Sequence, residues 1–150
     1  MPMRIAVGSD HAGFAMKESL AQRLRDLGHS VVDCGAYSPE RVDYPDFGAA
    51  VGRAVAGGRA EAGVCVCGSG IGIAMAANKI AGVRAATVWD ETSARLAREH
   101  NDANVICIGE RLVGPEVAAA ALQAWLQADF EGGRHVARVA KIDDLGGNSD

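Results

Sequence analysis

Short apolar segments alternate along this chain with longer segments in which apolar residues recur every three or four positions. The first pattern is typical of buried strands and the second of amphipathic helices. The predicted strands cover residues 4–8, 30–34, 61–67, 84–88 and 104–108. Because helical segments and short connections separate them, we expect an α/β fold of three layers, in which helices cover both faces of a five-stranded parallel sheet.

Five predicted helices follow the strands and cover residues 14–27, 43–57, 71–79, 91–101 and 114–128. In the first helix the spacing places Met16, Leu20, Leu24 and Leu27 on the apolar face and Lys17, Glu18, Arg23 and Arg25 in water. In the fifth helix the expected apolar face contains Val117, Ala121, Leu122, Trp125 and Leu126. Gly28 marks the end of the first helix, since glycine is common just after a helix.

The last segment differs from the rest of the chain. Two glycines after Glu131 interrupt the helical pattern, and residues 134–145 then predict a further helix with Val136, Val139 and Ile142 on its apolar side. The sheet is already complete, so this helix needs another surface to pack on, for which a second subunit is one candidate. We expect residues 1–150 to form one domain, with 146–150 as a frayed tail.

Composition narrows the class of protein. Apolar residues make up 49% of the 150 residues, and the net charge of −4 argues against a general nucleic-acid binder. No run of 18 apolar residues is present, so we expect no membrane span. The four cysteines have neither zinc-site nor disulfide spacing and no secretory signal precedes them, which favours the reducing cytoplasm.

The segment from Val64 to Gly72 is the strongest candidate for chemistry. An apolar strand runs into glycines at every second position, and a helical segment follows. Such a turn exposes main-chain N–H groups and can bind an anion, and a thiol beside these dipoles, here Cys67, should ionise more easily. Two plainer interpretations stay open: the glycines let a helix pack closely on the sheet, and a buried cysteine is a small hydrophobe, as we expect for Cys65.

Other polar residues stand where parallel strands bring ligands, at the carboxyl ends of the strands. Asp10 and His11 follow the first strand, and Arg111 follows the fifth. Arg134 and Arg138 share a helix face and either form a solvated charged surface or grip a phosphate. His100, near a helix end, is either a favourable cap or an acid–base group. Neither a phosphate-loop lysine nor the glycine fingerprint of a dinucleotide site is present, so NAD binding is not expected.

Together these segments resemble the type B ribose-5-phosphate isomerase family, whose relatives include the galactose-6-phosphate isomerase subunits. The similarity covers about residues 3–142, and it is carried by residues 8–14, 43–45, 67–72, 76–79, 100–104 and 131–135. It implies a Rossmann-like homodimer, with a tetramer as an alternative, whose active sites lie at the subunit interface. It also implies interconversion of an aldose and a ketose phosphate through an enediolate, with no metal and no cofactor.

The resemblance assigns roles residue by residue. Cys67 matches the base that moves the proton, His100 the acid that helps to open the sugar ring, Asp10 its assistant and Ser69 a hydroxyl of the loop. The loop N–H groups that would hold the enediolate oxygen belong to Gly68, Gly70, Ile71 and Gly72. Phosphate ligands match His11, Arg111, Arg134 and Arg138, the last two from the partner chain, and substrate-lining positions match Tyr44 and Asn101.

One branch of the family uses a glutamate six residues after the cysteine position. Ile73 stands there in this chain and Cys67 is present, so the chain resembles the cysteine branch. The expected substrate is ribose 5-phosphate, which belongs to the pentose phosphate pathway. Allose 6-phosphate, galactose 6-phosphate and erythrulose 4-phosphate are alternatives, and a non-catalytic sugar-phosphate-binding module is the alternative of another class.

Overall fold

Five parallel strands form one sheet in the computed structural model, which describes residues 2–147. They are β1 (Arg4–Ser9), β2 (Ser30–Asp33), β3 (Ala62–Cys67), β4 (Ala85–Thr87) and β5 (Val105–Gly109). Their order across the sheet is β2-β1-β3-β5-β4. The chain therefore builds outward from β1 in one direction and then from β3 in the other, which leaves a switch point between these two strands.

Six helices complete the fold: α1 (Phe14–Asp26), α2 (Tyr44–Ala56), α3 (Gly72–Ala77), α4 (Glu91–Asn101), α5 (Pro115–Gln127) and α6 (His135–Gly147). Helices α1, α4 and α5 cover one face of the sheet, and α2 and α3 cover the other. Strand β3 is buried on both faces: Val64 and Val66 pack in the first layer, and Cys65 and Cys67 in the second. The predicted three-layer α/β architecture with an extra C-terminal helix is confirmed.

Helix α3 is shorter than the predicted 71–79 because of one side chain. The Nδ2 of Asn78 donates to the Ala85 carbonyl at 2.8 Å, and the Ala85 N–H donates to Asn78 Oδ1 at 2.8 Å. Asn78 thus ends the helix and holds the first residue of β4. The other elements agree with the predicted bounds to within one or two residues.

The prediction that Lys17 faces water is wrong. Its side chain is fully buried, and its Nζ lies 3.0 Å from an Asp33 carboxylate oxygen and donates to the Ala36 carbonyl at 2.6 Å. The ion-pair partner comes from β2, so the periodicity of α1 could not reveal it. Two residues assigned to the apolar faces of the first and fifth helices are instead substantially exposed, Leu27 at 40% and Val117 at 45%.

Helix α4 has well-defined ends. The Asp90 carboxylate accepts a hydrogen bond from the Ser93 N–H at 2.7 Å, which satisfies a free donor of the first turn. At the other end Asp102 adopts a left-handed conformation with φ of 46°, and the Arg98 guanidinium donates to its carboxylate at 2.8 Å. These contacts determine where His100, one residue before the last of the helix, is presented.

Helix α6 packs beside α4 through few buried groups. Val139 is buried, whereas Val136 and Ile142 are about half exposed. Arg84 connects the two helices: its Nη1 lies 3.0 Å from the Asp143 carboxylate, and its Nη2 donates to the Asp102 carbonyl at 2.9 Å. The helix continues through Gly147, so the predicted tail begins later than expected, and its residues 148–150 lie outside the described part of the chain.

Within residues 2–147, no helix combines the length and the apolar character that crossing a membrane requires.

Candidate active site

An open cleft of 610 Å³ lies at the carboxyl edge of the sheet, beside the switch point between β1 and β3. Loops after β1, β3 and β5 form its floor, as expected for a ligand site in a parallel sheet. Nine of the residues predicted to serve the site line it: Asp10, His11, Tyr44, Cys67, Gly68, Ser69, Ile71, Gly72 and Arg111. Residues that the sequence did not single out, Ala12, Met75 and Leu112, complete the wall.

The Cys67 sulfur lies at the floor of the cleft, where the side chain is almost fully buried at the end of β3. The backbone N–H of Gly70 donates to this sulfur at 3.1 Å. Gly70 has φ of +75°, and a Cβ there would lie 2.8 Å from the Gly109 nitrogen. A side chain is therefore excluded at position 70, and the tight turn that aims its N–H at the thiol requires glycine.

The remainder of the loop is held by its own polar groups and by neighbours. The Ile71 N–H donates to Ser69 Oγ at 3.1 Å, and Thr87 Oγ1 donates to the Gly70 carbonyl at 2.7 Å. The Tyr44 ring lies against Gly72 so closely that a Cβ there would be 2.5 Å from the ring. Thr87 was missed by the sequence interpretation, although its place at the end of a strand was a usable signal.

Asp10 and His11 are neighbours in sequence but have different contacts. Asp10 is buried, and its carboxylate accepts a hydrogen bond from the Gly13 N–H at 3.0 Å, which holds the loop at the start of α1. The Nδ1 of His11 lies 3.1 Å from the Val42 carbonyl. The imidazole is thus positioned by the loop that leads into α2, and it lines the cleft.

Arg111 brings a positive charge to the cleft. Its backbone N–H donates to the Gly68 carbonyl at 3.0 Å, and a Cβ at position 68 would lie 3.4 Å from its guanidinium. The residue itself is exposed. Together with His11 and the main-chain N–H groups of the glycine loop, this guanidinium makes the cleft suited to an anionic ligand.

Four predicted site residues lie elsewhere in the chain: His100, Asn101, Arg134 and Arg138. Helix α4 runs antiparallel to the strands and ends just before β5 begins, so its last turn lies at the amino edge of the sheet. The cleft lies at the carboxyl edge, and the six residues of β3 separate the edges by about 20 Å. A single chain therefore does not bring these residues to the cleft.

At that amino edge His100 and His135 form a stacked pair. Their ring centroids are 4.5 Å apart, and the Glu131 carboxylate lies beside both rings. Burial, followed by the nearby Arg134 guanidinium, lowers the pKa of His135 below its ordinary value of 6.5. The contact between His135 and His100 depends on how α6 packs against α4, which the spacing of residues along the chain does not show.

The other cysteines have different surroundings from Cys67. Cys65 and Cys107 are fully buried register partners on β3 and β5. A hydrogen bond with Cys65, together with burial, raises the pKa of the Cys107 thiol well above its ordinary value. Burial also raises the pKa of Cys34. The expectation that Cys65 serves as a packing residue agrees with this placement.

The sequence and the fold match a described family and proteins of known structure. The family described as Ribose/Galactose Isomerase matches residues 5–142. Ribose-5-phosphate isomerase B of Escherichia coli is 48% identical over 139 residues, which cover 93% of each chain. A structure of Clostridium thermocellum ribose-5-phosphate isomerase B is 47% identical, with a TM-score of 0.94 over 95% of this chain and 97% of that one.

One relative carries a different substrate in its name. The D-erythrulose-4-phosphate isomerase of Pectobacterium atrosepticum is 40% identical over 142 residues, which cover 93% of each chain. Relatives whose names give sugar phosphates of different length therefore share this sequence pattern.

Proposed function

Because the chain belongs to the ribose/galactose isomerase family and is a sugar-phosphate isomerase, we propose that it interconverts ribose 5-phosphate and ribulose 5-phosphate. The observation that carries this proposal is the Cys67 thiol, which lies at the floor of an anion-binding cleft and accepts a hydrogen bond from Gly70. The proposed reaction belongs to pentose phosphate metabolism. A thiol base suits a reducing compartment, and we place the protein in the cytoplasm.

In the proposed reaction the Cys67 thiolate takes the proton from C2 of the open-chain aldose. The electron pair of that C–H bond forms the C1–C2 double bond, and the negative charge moves to O1. The O2 proton then passes to O1, and Cys67 returns a proton to C1, which gives the ketose. The proton balance is closed within the substrate and one thiol, so the step needs no oxidant or metal.

The glycine loop stabilises the developing charge in this proposal. The loop lines the cleft with Gly68, Ser69, Ile71 and Gly72, and the Gly70 turn and the Thr87 contact hold its shape. Preorganised backbone N–H donors lower the barrier, because they need not reorient when the enediolate forms. Ser69 supplies a hydroxyl beside the reacting oxygens. Tyr44, pressed against Gly72, closes one side of the sugar pocket.

His11 and Arg111 bind the phosphate in the same cleft. Arg111 contributes a permanent positive charge, and the His11 ring is held in place by the Val42 carbonyl. These two groups are only half of the four predicted phosphate ligands, since Arg134 and Arg138 lie at the opposite edge of the sheet in the same chain.

A second copy of the chain completes the site. We assign His100, as the ring-opening acid, together with Asn101, Arg134 and Arg138, to the partner subunit. Two observations support this: within one chain these four residues lie at the edge of the sheet opposite the cleft, and exposed apolar side chains surround the cleft at Ile71, Met75 and Leu112. In a two-fold dimer, the end of α4 and the helix α6 of each chain would lie at the cleft of the other chain.

The deciding experiment is a coupled isomerisation assay with a panel of sugar phosphates. We expect the highest kcat/KM with ribose 5-phosphate, and lower values with allose 6-phosphate, galactose 6-phosphate and erythrulose 4-phosphate. Good turnover of one of the others without turnover of ribose 5-phosphate would contradict the substrate. The erythrulose phosphate is the second candidate, since a relative of 40% identity bears that activity in its name.

A further inference from the structure

Three side chains that commonly bind metals converge outside the cleft. His100 lies at the end of α4, Glu131 in the connection after α5, and His135 at the start of α6. One ligand atom from each lies within 4.8 Å of the other two. Two imidazole nitrogens and one carboxylate oxygen form a set of donors that zinc binds readily.

The contacts inside this cluster are too long to be hydrogen bonds. Glu131 Oε1 lies 3.5 Å from His135 Nε2 and 3.9 Å from His100 Nε2, and both distances exceed the usual N–H···O range. His135 Nε2 is buried and has no hydrogen-bond partner among the described residues. Burying a polar atom without a partner is unfavourable, so its position calls for an explanation.

The backbone holds the three residues in place independently of their side chains. The Glu131 N–H donates to the Glu99 carbonyl at 3.0 Å, next to His100, and the His135 N–H donates to the Gly132 carbonyl at 3.1 Å. Gly132 and Gly133 have positive φ values of 69° and 56° and turn the chain between two of the ligands. The cluster is therefore a product of the local fold.

We propose that His100, Glu131 and His135 bind a divalent transition-metal ion, with zinc as the best fit. In a tetrahedral zinc site with bonds near 2.1 Å, ligand atoms are about 3.4 Å apart. The contact of Glu131 with His135 is already close to that value, and its contact with His100 is a few tenths of an ångström longer. An imidazole nitrogen bonds a metal in the plane of its ring, and the two rings are stacked with their planes 14° from parallel, so the partly exposed His100 ring must turn out of the stack to share the ion. The ion gives the His135 nitrogen its partner, and water occupies the fourth position.

The surrounding charges select the kind of ion. Glu131 contributes one negative charge, while Arg134 and Arg138 are positive neighbours of His135. Hard cations such as magnesium prefer oxygen ligands and gain little from imidazoles, so they should not bind here. Zinc, cobalt and nickel form strong bonds to imidazole and can bind despite the nearby guanidinium groups.

Zinc bound here would occupy the His100 nitrogen. Its expected effect on activity rests on the proposed function of His100 as the ring-opening acid. We therefore expect zinc to inhibit isomerisation and a chelator to restore the activity. Binding itself does not depend on that role. Zinc binding to a protein that turns over none of the sugar phosphates would contradict the proposed function and leave the metal site intact.

The test is isothermal titration of the chelator-treated protein with zinc chloride, and separately with magnesium chloride. We expect one zinc per chain and no magnesium binding. His135→Gln and the surface variant Glu131→Gln each remove a proposed ligand and should weaken zinc binding at least about 100-fold. Substituting a residue that only hydrogen-bonds to a metal ligand already costs roughly 10–100-fold in metal affinity. His29→Gln is the matched control, because His29 accepts a hydrogen bond from the Met3 N–H and does not belong to the cluster.

Cysteine thiols also bind zinc, and the Cys67→Ser variant distinguishes zinc bound at Cys67 from zinc bound at the cluster. Zinc binding retained in Cys67→Ser supports the cluster, and binding lost in it overturns the proposal. Cobalt gives a second readout: visible bands without a sulfur-to-cobalt charge-transfer band support nitrogen and oxygen ligands, and a strong charge-transfer band contradicts them. If His135→Gln and Glu131→Gln, both folded by circular dichroism, bind zinc as tightly as the unaltered protein, the proposal is wrong.

Discussion

At the scale of single residues, Cys67 differs from the three other cysteines in what its sulfur contacts. It lies in the cleft and accepts a hydrogen bond from a main-chain N–H, whereas Cys65 and Cys107 are enclosed in the core between strands and helices. Cys34 is half-buried outside the cleft. Access to the cleft and packing in the core are thus divided among cysteines that look alike in the sequence.

Replacing Cys67 by serine should remove turnover while leaving sugar-phosphate binding. Serine keeps the size of the side chain but is a far weaker base, and loss of a positioned base typically costs 10²–10⁴-fold in rate, so we expect a fall in kcat of about that size. The proposed phosphate ligands His11 and Arg111 are unchanged in this variant. Steady-state kinetics and calorimetric binding of ribose 5-phosphate measure the two effects.

Cys34→Ser is the matched control and should keep its activity, since Cys34 does not line the cleft. Loss of an essential base should lower kcat by more than about tenfold. A Cys67→Ser protein that keeps more of its kcat than this would therefore contradict the assignment of Cys67 as the base.

His135 should make the metal-free protein less stable on acidification. Its pKa is lowered in the folded state, chiefly by burial, so the unfolded chain binds more protons below about pH 6.5. The stability due to the neutral ring is complete above that value and is lost as the pH falls through the lower pKa of the folded state. The facing groups Arg134, Arg138 and His100 act in the same direction, and Glu131 opposes them.

Thermal unfolding measured from pH 7.5 to about pH 5, which spans the ordinary titration of histidine, tests this. The Tm of His135→Gln should fall less steeply than that of the unaltered protein, with His29→Gln as the control. Equal slopes in all three proteins would show that another group causes the acid sensitivity.

At the scale of elements, Lys17 joins α1 to the segment after β2. Its ammonium group contacts the Asp33 carboxylate and the Ala36 carbonyl, and it also lies 5.1 Å from the centre of the Phe14 ring. The chain then runs from Ala36 to Val42 and Tyr44, which place the His11 ring and one wall of the cleft. A buried cation thereby determines where a loop of the cleft begins.

Lys17→Met should lower the free energy of unfolding by about 2 kcal/mol. Removing one partner of a buried ion pair usually costs 3–5 kcal/mol, and we reduce this because the Asp33 side chain is 30% exposed and can be solvated. Denaturant unfolding gives the value. The double variant Lys17→Met/Asp33→Leu should regain part of the loss, and a double variant less stable than either single one would contradict the pairing.

At the scale of the whole molecule, the proposed site is divided between two edges of one sheet. Cys67, His11 and Arg111 lie at the carboxyl edge, and His100 and the α6 arginines lie at the amino edge. Helices that return antiparallel to their strands make this separation unavoidable within one chain. Activity should therefore require a dimer in which the amino edge of each chain lies at the cleft of the other.

Mixed dimers test this division directly. Cys67→Ser and His100→Asn proteins should each be inactive alone, and refolding them together should restore about a quarter of the original activity, because half of the dimers are mixed and each has one intact site. Co-refolding Cys67→Ser with Cys67→Ala is the control and should restore nothing. No recovery from an otherwise folded mixed dimer would place both residues in the same chain's site.

The layers, the element order and the glycine loop could all be predicted from the amino-acid sequence. These depend on local periodicity and on backbone conformations, such as that of Gly70, which a short segment specifies. The apolar pattern of residues 61–67 already indicated a buried strand, and the structure buries β3 on both faces.

Contacts between distant segments became visible only in the folded chain. The burial of Lys17 depends on Asp33 of another element, and the meeting of His100 with Glu131 and His135 depends on how α6 lies against α4. The same holds for the separation of the predicted site residues between two edges, which follows from strand order and helix direction. Such contacts join residues that are far apart in sequence, and the spacing of residues along a chain carries no record of them.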